Sequence, residues 1–307
     1  MSANTVEELE AADEEEVCAS CGIAAGDAVK LKNCACNLVK YCTVDCQKNH
    51  RSRHKKACKK RLAELHDKQL FTQPDSNYLG ECPICCLPLP LDILKSTLMS
   101  CCCKIICKGC NYANQKREVE EGLEQRCAFC REPAAERDDE EFFEKNIMER
   151  VKKNDAVAMT QMGKTHLEDG DYEKAVEYFT KAAELGDANA HCCLGDLYNK
   201  GNGVEKDEKK VVYHLEKAAI GGHPFARGYL AEHELRNGRF DRAVKHVIIG
   251  ANLGCNDNLK FVKDLFVQGV ASKEDYSAAL RGYQAAVNET KNAEREEGEA
   301  FYARMRS

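Results

Sequence analysis

Seventeen of the chain's twenty cysteines lie before residue 131, in two clusters built from C-x2-C pairs. The first cluster runs Cys18, Cys21, Cys34, Cys36, Cys42, Cys46, His54, Cys58. The second runs from Cys82 and Cys85 through Cys101, Cys102 and Cys103 to Cys107, Cys110, Cys127 and Cys130. Two residues between paired thiolates let both sulfurs reach one tetrahedral Zn2+, and repeated pairs with a histidine argue against a disulfide framework. Each cluster holds enough ligands for two ions, so the cofactor expected is Zn2+, about four per chain. Such clusters predict two small zinc-stapled modules rather than one large core.

The opening MSANTVEELEAADEEE has no basic n-region and no apolar run, so the thiols are expected to mature in a reducing cytoplasm or nucleus. Its acids, Glu7, Glu8, Glu10, Asp13, Glu14, Glu15 and Glu16, predict a disordered tail over 1–17. No segment approaches the roughly 20 apolar residues of a membrane span, so no membrane partner is expected. A chain of 307 residues exceeds what one core usually organises, at about 250 residues.

In the first cluster Thr43 can cap a helix starting near Val44, which puts Cys46 in its first turn. His54 and Cys58 are i,i+4 neighbours on a helical face that continues through KKRLAELHDKQL. His50 is the rival imidazole, one turn before His54 and outside the H-x3-C spacing. CASC, CNLVKYC, Cys46-Gln47 and HKKAC resemble a MYND finger over 18–58. The resemblance implies interleaved ligands: site one from Cys18, Cys21, Cys42 and Cys46, site two from Cys34, Cys36, His54 and Cys58. It also implies a peptide ligand, although Arg51 stands where the family carries tryptophan. The second knuckle is Cys34-Ala-Cys36 instead of C-x2-C, so Cys34 must reach its ion by a backbone adjustment.

Ten basic residues surround this cluster (Lys30, Lys32, Lys40, Lys48, Arg51, Arg53, Lys55, Lys56, Lys59, Lys60). Part of that charge offsets the thiolates, and no aromatics are interleaved for base stacking, which counts against a nucleic-acid partner.

The second cluster, through CPIC, CCCKIICKGC and CAFCR, resembles an all-cysteine RING finger. That likeness implies a cross-brace: site three from Cys82, Cys85, Cys107 and Cys110, site four from Cys101, Cys102, Cys127 and Cys130. Cys101 with Cys103 is the alternative for site four. Cys86 and Cys103 then read as spare buried thiols. By the same likeness Ile84 would contact a ubiquitin-conjugating enzyme and Arg131 would hold ubiquitin. Ala128 stands where CPxC would carry proline.

Beyond residue 155 the pattern changes. KAAELGD at Lys181 recurs as KAAIGGH at Lys217 and, more loosely, as GANLGCN at Gly250, so that Ala183, Ala219 and Ala251 are spaced by 36 and 32 residues. Such periods mean stacked helix pairs. AHCCLGDLYNKGNGVEKDEKKVVYHLEKAAIGG resembles the Sel-one-like repeat, a relative of the tetratricopeptide repeat, which implies a protein-binding scaffold. Cys192, Cys193 and Cys255, like Tyr172, Tyr178, Tyr198 and Tyr213, are expected in its core.

The expected organisation is therefore mostly α: tail 1–17, MYND-type finger 18–58, helical linker 59–80, RING-type finger 81–133 and charged connector 134–154. Helical repeats over 155–290, an α-solenoid, and a charged C-terminal helix or tail over 291–307 complete it. No P-loop, G-x-G-x-x-G, H-E-x-x-H or G-x-S-x-G motif occurs. The expected function is a zinc-binding protein-interaction adaptor. In its specific form this is a RING-type ubiquitin ligase with substrate-choosing repeats, and the alternative is a scaffold without transfer activity.

Overall fold

The computed structural model describes residues 16–133 and 140–305. The acidic stretch expected to be disordered falls outside them, except for its last two residues. Those two are ordered: Val17 bridges Ala24, and the Glu16 carbonyl accepts from the Ala25 N–H at 2.8 Å. The chain divides into two compact units, Met1–Leu70 and Phe71–Ser307.

The first unit has little regular structure before its helix. β1 (Lys32–Asn33) pairs antiparallel with β2 (Lys40–Tyr41), Lys32 opposite Tyr41. α1 spans Val44–Leu70, and the Thr43 hydroxyl accepts from the Cys46 N–H at 3.1 Å, as an N-cap should. Between residues 44 and 69 only His54 is buried on this helix. Its apolar contacts therefore contribute little, and its hold on the module is the histidine and cysteines it carries. The helix stops at Leu70, so the expected helical linker 59–80 is helical only in its first half.

In the second unit, residues 71–79 form an irregular strap over the repeats. The Tyr78 ring stacks on His223 at 4.2 Å and Phe71 lies against His246 at 4.7 Å. The strap comes close enough at Gly222 (φ +79°) that a Cβ there would sit 2.5 Å from the Ser76 carbonyl oxygen. Next come a 3-10 turn (Ile93–Lys95), the β3–β4 hairpin (Ser96–Met99, Lys104–Cys107) with Leu98 opposite Ile105, and α2 (Lys108–Glu120). Ile106 and Leu89 are fully buried at the centre of this module. Cys103, at the hairpin turn, is buried with Ile147 of α3 (Glu140–Lys152) and with Ala158 and Met162 of the helix that follows it.

Four helix pairs follow: α4 (Ala156–Glu168) with α5 (Tyr172–Glu184), α6 (Ala188–Lys200) with α7 (Glu208–Ile220), α8 (Pro224–Arg236) with α9 (Phe240–Asn252), and α10 (Asn256–Val267) with α11 (Lys273–Glu289). Asp155, Asp171, Asp187 and Asp207 cap α4 to α7 by accepting N–H groups of the first turn, so each helix starts where its aspartate stands. Phe179, Ala182, Leu194 and Leu197 form one buried cluster, and Ala243, Val247, Val262 and Leu265 another. Cys192 and Cys255 are buried, but Tyr172 and Tyr213 are exposed rather than in the core. α12 (Ala293–Arg304) ends the described chain, docked on the second cysteine-rich module instead of trailing from the repeats. Among the described residues no helix is long and apolar enough to cross a membrane.

Candidate metal centres

The structure brings the cysteines together in four sets of four: Cys18, Cys21, Cys42, Cys46; Cys34, Cys36, His54, Cys58; Cys82, Cys85, Cys107, Cys110; and Cys101, Cys102, Cys127, Cys130. In each set the donor atoms lie within 4.8 Å of one another. A tetrahedron with Zn–S bonds of about 2.3 Å has S–S edges of about 3.8 Å. Cys21 and Cys42 are 3.5 Å apart, Cys34 and Cys58 3.7 Å, Cys85 and Cys107 3.9 Å, and Cys102 and Cys127 3.9 Å. These separations fit tetrahedral edges and are far too long for disulfides, and all twenty cysteines are free. The donor chemistry, sulfur with one imidazole, suits zinc.

The same local device builds three of the four C-x2-C knuckles. After Cys18–x2–Cys21 the Gly22 N–H returns to the Cys18 carbonyl, after Cys82–x2–Cys85 the Cys86 N–H returns to Cys82, and after Cys127–x2–Cys130 the Arg131 N–H returns to Cys127. The closing residue is left-handed each time, with φ of +73°, +54° and +63° for Gly22, Cys86 and Arg131. The short Cys34–Ala–Cys36 knuckle closes one residue sooner, through left-handed Asn37 (φ +57°), whose N–H reaches the Cys34 carbonyl at 2.8 Å. Asparagine tolerates that conformation, so the backbone adjustment demanded of Cys34 is made at Asn37.

His54 stands in the second set with its Nε2 3.0 Å from Cys36 Sγ, whereas His50 Nδ1 sits 3.0 Å from the Tyr41 hydroxyl. Cys102, not Cys103, stands in the fourth set, because the Cys103 side chain is turned towards Ile147 and Met162. Cys86 is exposed rather than buried.

Metal-free thiols this close cannot all ionise. The Cys107 side chain beside it, with backbone N–H donors, lowers Cys82 to about 4, while burial pushes Cys110 and Cys102 up to about 12. Binding a dication lets the whole set deprotonate.

Ile84 is 41 % exposed between its two cysteines, and Phe129 is 42 % exposed at the matching place between Cys127 and Cys130. Arg131 is engaged within the module: it lies 3.0 Å from the fully buried carboxylate of Glu118 and donates to Asn114 Oδ1 at 2.7 Å. Arg295 of α12, which the sequence reading missed, also reaches this module. Its guanidinium donates to Cys85 Sγ at 3.2 Å and to the Leu87 and Pro88 carbonyls at 2.9 and 2.7 Å. The available signal was the spacing of Arg295, Gly298 and Tyr302, which puts all three on one helical face.

Residues 18–58 match the MYND finger family model. The first module is a MYND finger. Residues 156–187 and 188–223 match the Sel1 repeat, and the matched segments do not extend over 82–130. An uncharacterized protein of Neisseria meningitidis, NMB1327, is 38 % identical over 52 residues, 17 % of this chain. The chain spans 11 % of that relative's length. Among solved structures, a Sel1 repeat protein from Oxalobacter formigenes has a TM-score of 0.43 at 23 % identity, covering 59 % of this chain and 72 % of its own. The antigen c5321 of uropathogenic Escherichia coli, displaying an SLR fold, has a TM-score of 0.39 at 20 % identity, covering 64 % of this chain and 40 % of its own. After the MYND finger and a second cysteine-rich module, the chain is a mostly helical Sel1-like repeat array.

Proposed function

We propose that this chain is a zinc-dependent adaptor in which the MYND finger and the repeats each take a protein partner. The observation that carries this reading is a groove of about 650 Å3 in the second unit. The strap, the second module and the last repeats build it jointly, and Leu91, Phe225, Tyr283 and Val287 line it. Its size suits several side chains of an extended peptide, and its apolar residues supply the burial that anchors one. Peptides selected from a displayed library on the intact protein should lose at least about tenfold in affinity with Phe225→Glu and with Tyr283→Glu, at unchanged helicity. Selected peptides indifferent to both substitutions would remove the groove from the reading. The free thiols of the four sets fit a reducing compartment, cytoplasm or nucleus.

A finer reading, ubiquitin transfer by the second module, is favoured by its interleaved ligand order together with exposed Ile84. A RING finger supplies no nucleophile; it holds a charged conjugating enzyme so that the thioester is attacked productively. Ile84 would form part of that contact. Arg131 could hold ubiquitin only after leaving Glu118 and Asn114. Discharge assays against a panel of conjugating enzymes test this reading: Ile84→Ala should slow discharge at unchanged zinc content. Absence of discharge with every enzyme leaves the scaffold without transfer activity.

A further inference from the structure

In sequence α12 is a charged tail, AEREEGEAFYAR. In the structure it is bound to the second module along most of its length. Tyr302 stands between Asn111 Nδ2 and Gln115 Oε1, each 2.8 Å from its hydroxyl, Lys108 lies over the Tyr302 ring, and Phe301 lies against Tyr112. Glu299 pairs with Lys95 at 2.7 Å and Glu297 with Lys116 at 3.0 Å. Two glycines let the backbones touch: a Cβ on Gly298 would lie 2.8 Å from Gly109 Cα, in the turn that carries Cys107 and Cys110. The close crossing therefore sits directly behind site three.

Arg295 occupies the centre of this contact, and only 2 % of its surface is exposed. Its Nη1 donates to the Pro88 and Thr290 carbonyls at 2.7 and 2.8 Å, and its Nη2 to the Leu87 carbonyl at 2.9 Å and to Cys85 Sγ at 3.2 Å. A buried cation is costly unless a negative charge accompanies it, and three of these four partners are neutral carbonyls. When a dication binds the set, Cys85 is the one of the four that carries charge, as a thiolate. Site three has the opposite deficit: four thiolates on one Zn2+ leave a net charge of −2, with Cys82 and Cys107 almost wholly shielded from water.

We propose that Arg295 is the outer-sphere cation of site three, so that zinc loading of Cys82, Cys85, Cys107 and Cys110 and docking of α12 form one coupled event. The guanidinium reduces the residual negative charge of the loaded site, and the loaded site gives the buried guanidinium its counter-charge. Linkage then makes the effect reciprocal: whatever factor docking adds to zinc affinity at this site, zinc adds to docking. The second module is completed by a helix almost two hundred residues further along the chain. The inference concerns metal retention and stands whether or not the module transfers ubiquitin.

The test uses the full chain loaded with zinc and a competing chromophoric chelator. Arg295→Met, which removes the charge and keeps most of the volume, should lower the apparent zinc affinity of one site by about tenfold to a hundredfold, the range for outer-shell partners of metal ligands. The other sites should be unchanged. Arg295→Lys, which keeps the charge without the planar fork, should recover most of the loss. In the wild-type protein, removing zinc should expose the amides of 293–304 to hydrogen exchange while those of 156–289 stay protected. Wild-type zinc affinity in Arg295→Met overturns the proposal. So does a Lys variant no better than Met, because charge would then not be the operative property. Exchange of 293–304 that ignores zinc overturns the coupling.

Discussion

The MYND finger and the second module use the same knuckles and the same number of ligand sets, yet they are held together differently. In the finger the buried cluster consists of Cys18, Cys34, Cys36 and Tyr41, so its core is largely its own ligands. In the second module Leu89 and Ile106 join the cysteines, Cys103 is buried against α3 and α4, and α12 closes over α2. One module is organised by metal and local chain alone. The other adds packing from distant parts of the chain to its cysteine sets.

The largest test of that difference is metal removal. The intact protein is expected to carry about four zinc ions by elemental analysis, and each structural site can supply roughly 10 kcal/mol or more of folding free energy. A strong chelator should therefore erase hydrogen-exchange protection throughout 18–58. In the second module Ile106, Leu89 and the Cys103 contact should retain part of it, and α4 to α11 should keep theirs. Equal collapse of both modules would break the comparison. Within the finger, His54→Ala should cost one ion whereas His50→Phe should cost none, since only His54 stands among the donors.

A smaller effect is expected from Gly298→Leu. Its side chain would be driven into the Gly109 backbone, a neighbour that cannot rotate away. Overpacking of this kind costs about 1–3 kcal/mol, so α12 should lose protection and the second module should unfold at lower denaturant. The MYND finger should not respond. A finger that weakened equally would mean that its stability is not local.

This contrast also explains what the sequence revealed. The ligand sets were legible because C-x2-C pairs and H-x3-C are short-range patterns, and the helix pairs because KAAELGD and KAAIGGH repeat. Cys102 and Cys103 could not be separated from spacing alone, since the choice turns on Ile147 and Met162, more than forty residues further along the chain. Tyr172 and Tyr213 were misplaced for a related reason: helical periodicity marks a face but does not say whether a neighbour covers it. The charged composition of α12 concealed its contact face, because Arg295 is buried on account of a counter-charge and not of apolarity. The strap was hidden too, because Phe71 and Tyr78 find their partners far along the chain, in His246 on α9 and in His223 just before α8.

The finest distinction concerns Arg131, where knuckle geometry and charge oppose each other. Its φ of +63° is a conformation that costs a side-chain-bearing residue about 1–2 kcal/mol, whereas glycine adopts it freely. Against that cost stands the pair with Glu118, whose carboxylate is fully buried while the Arg131 side chain is 44 % exposed. Removing one partner of a wholly buried pair costs about 3–5 kcal/mol, and solvent around the arginine reduces this to about 1–2 kcal/mol. Arg131→Ala keeps the left-handed strain and loses the pair, so it should lower the stability of the second module by that amount. Arg131→Gly loses the same pair but relieves the strain, and should come out about 1 kcal/mol more stable than the alanine variant. Denaturant unfolding followed by hydrogen exchange in 82–133 would resolve the two. If both variants match the wild type, neither the pair nor the knuckle strain matters at this position. If both lose ubiquitin discharge while differing in stability, the arginine acts on ubiquitin rather than through the fold.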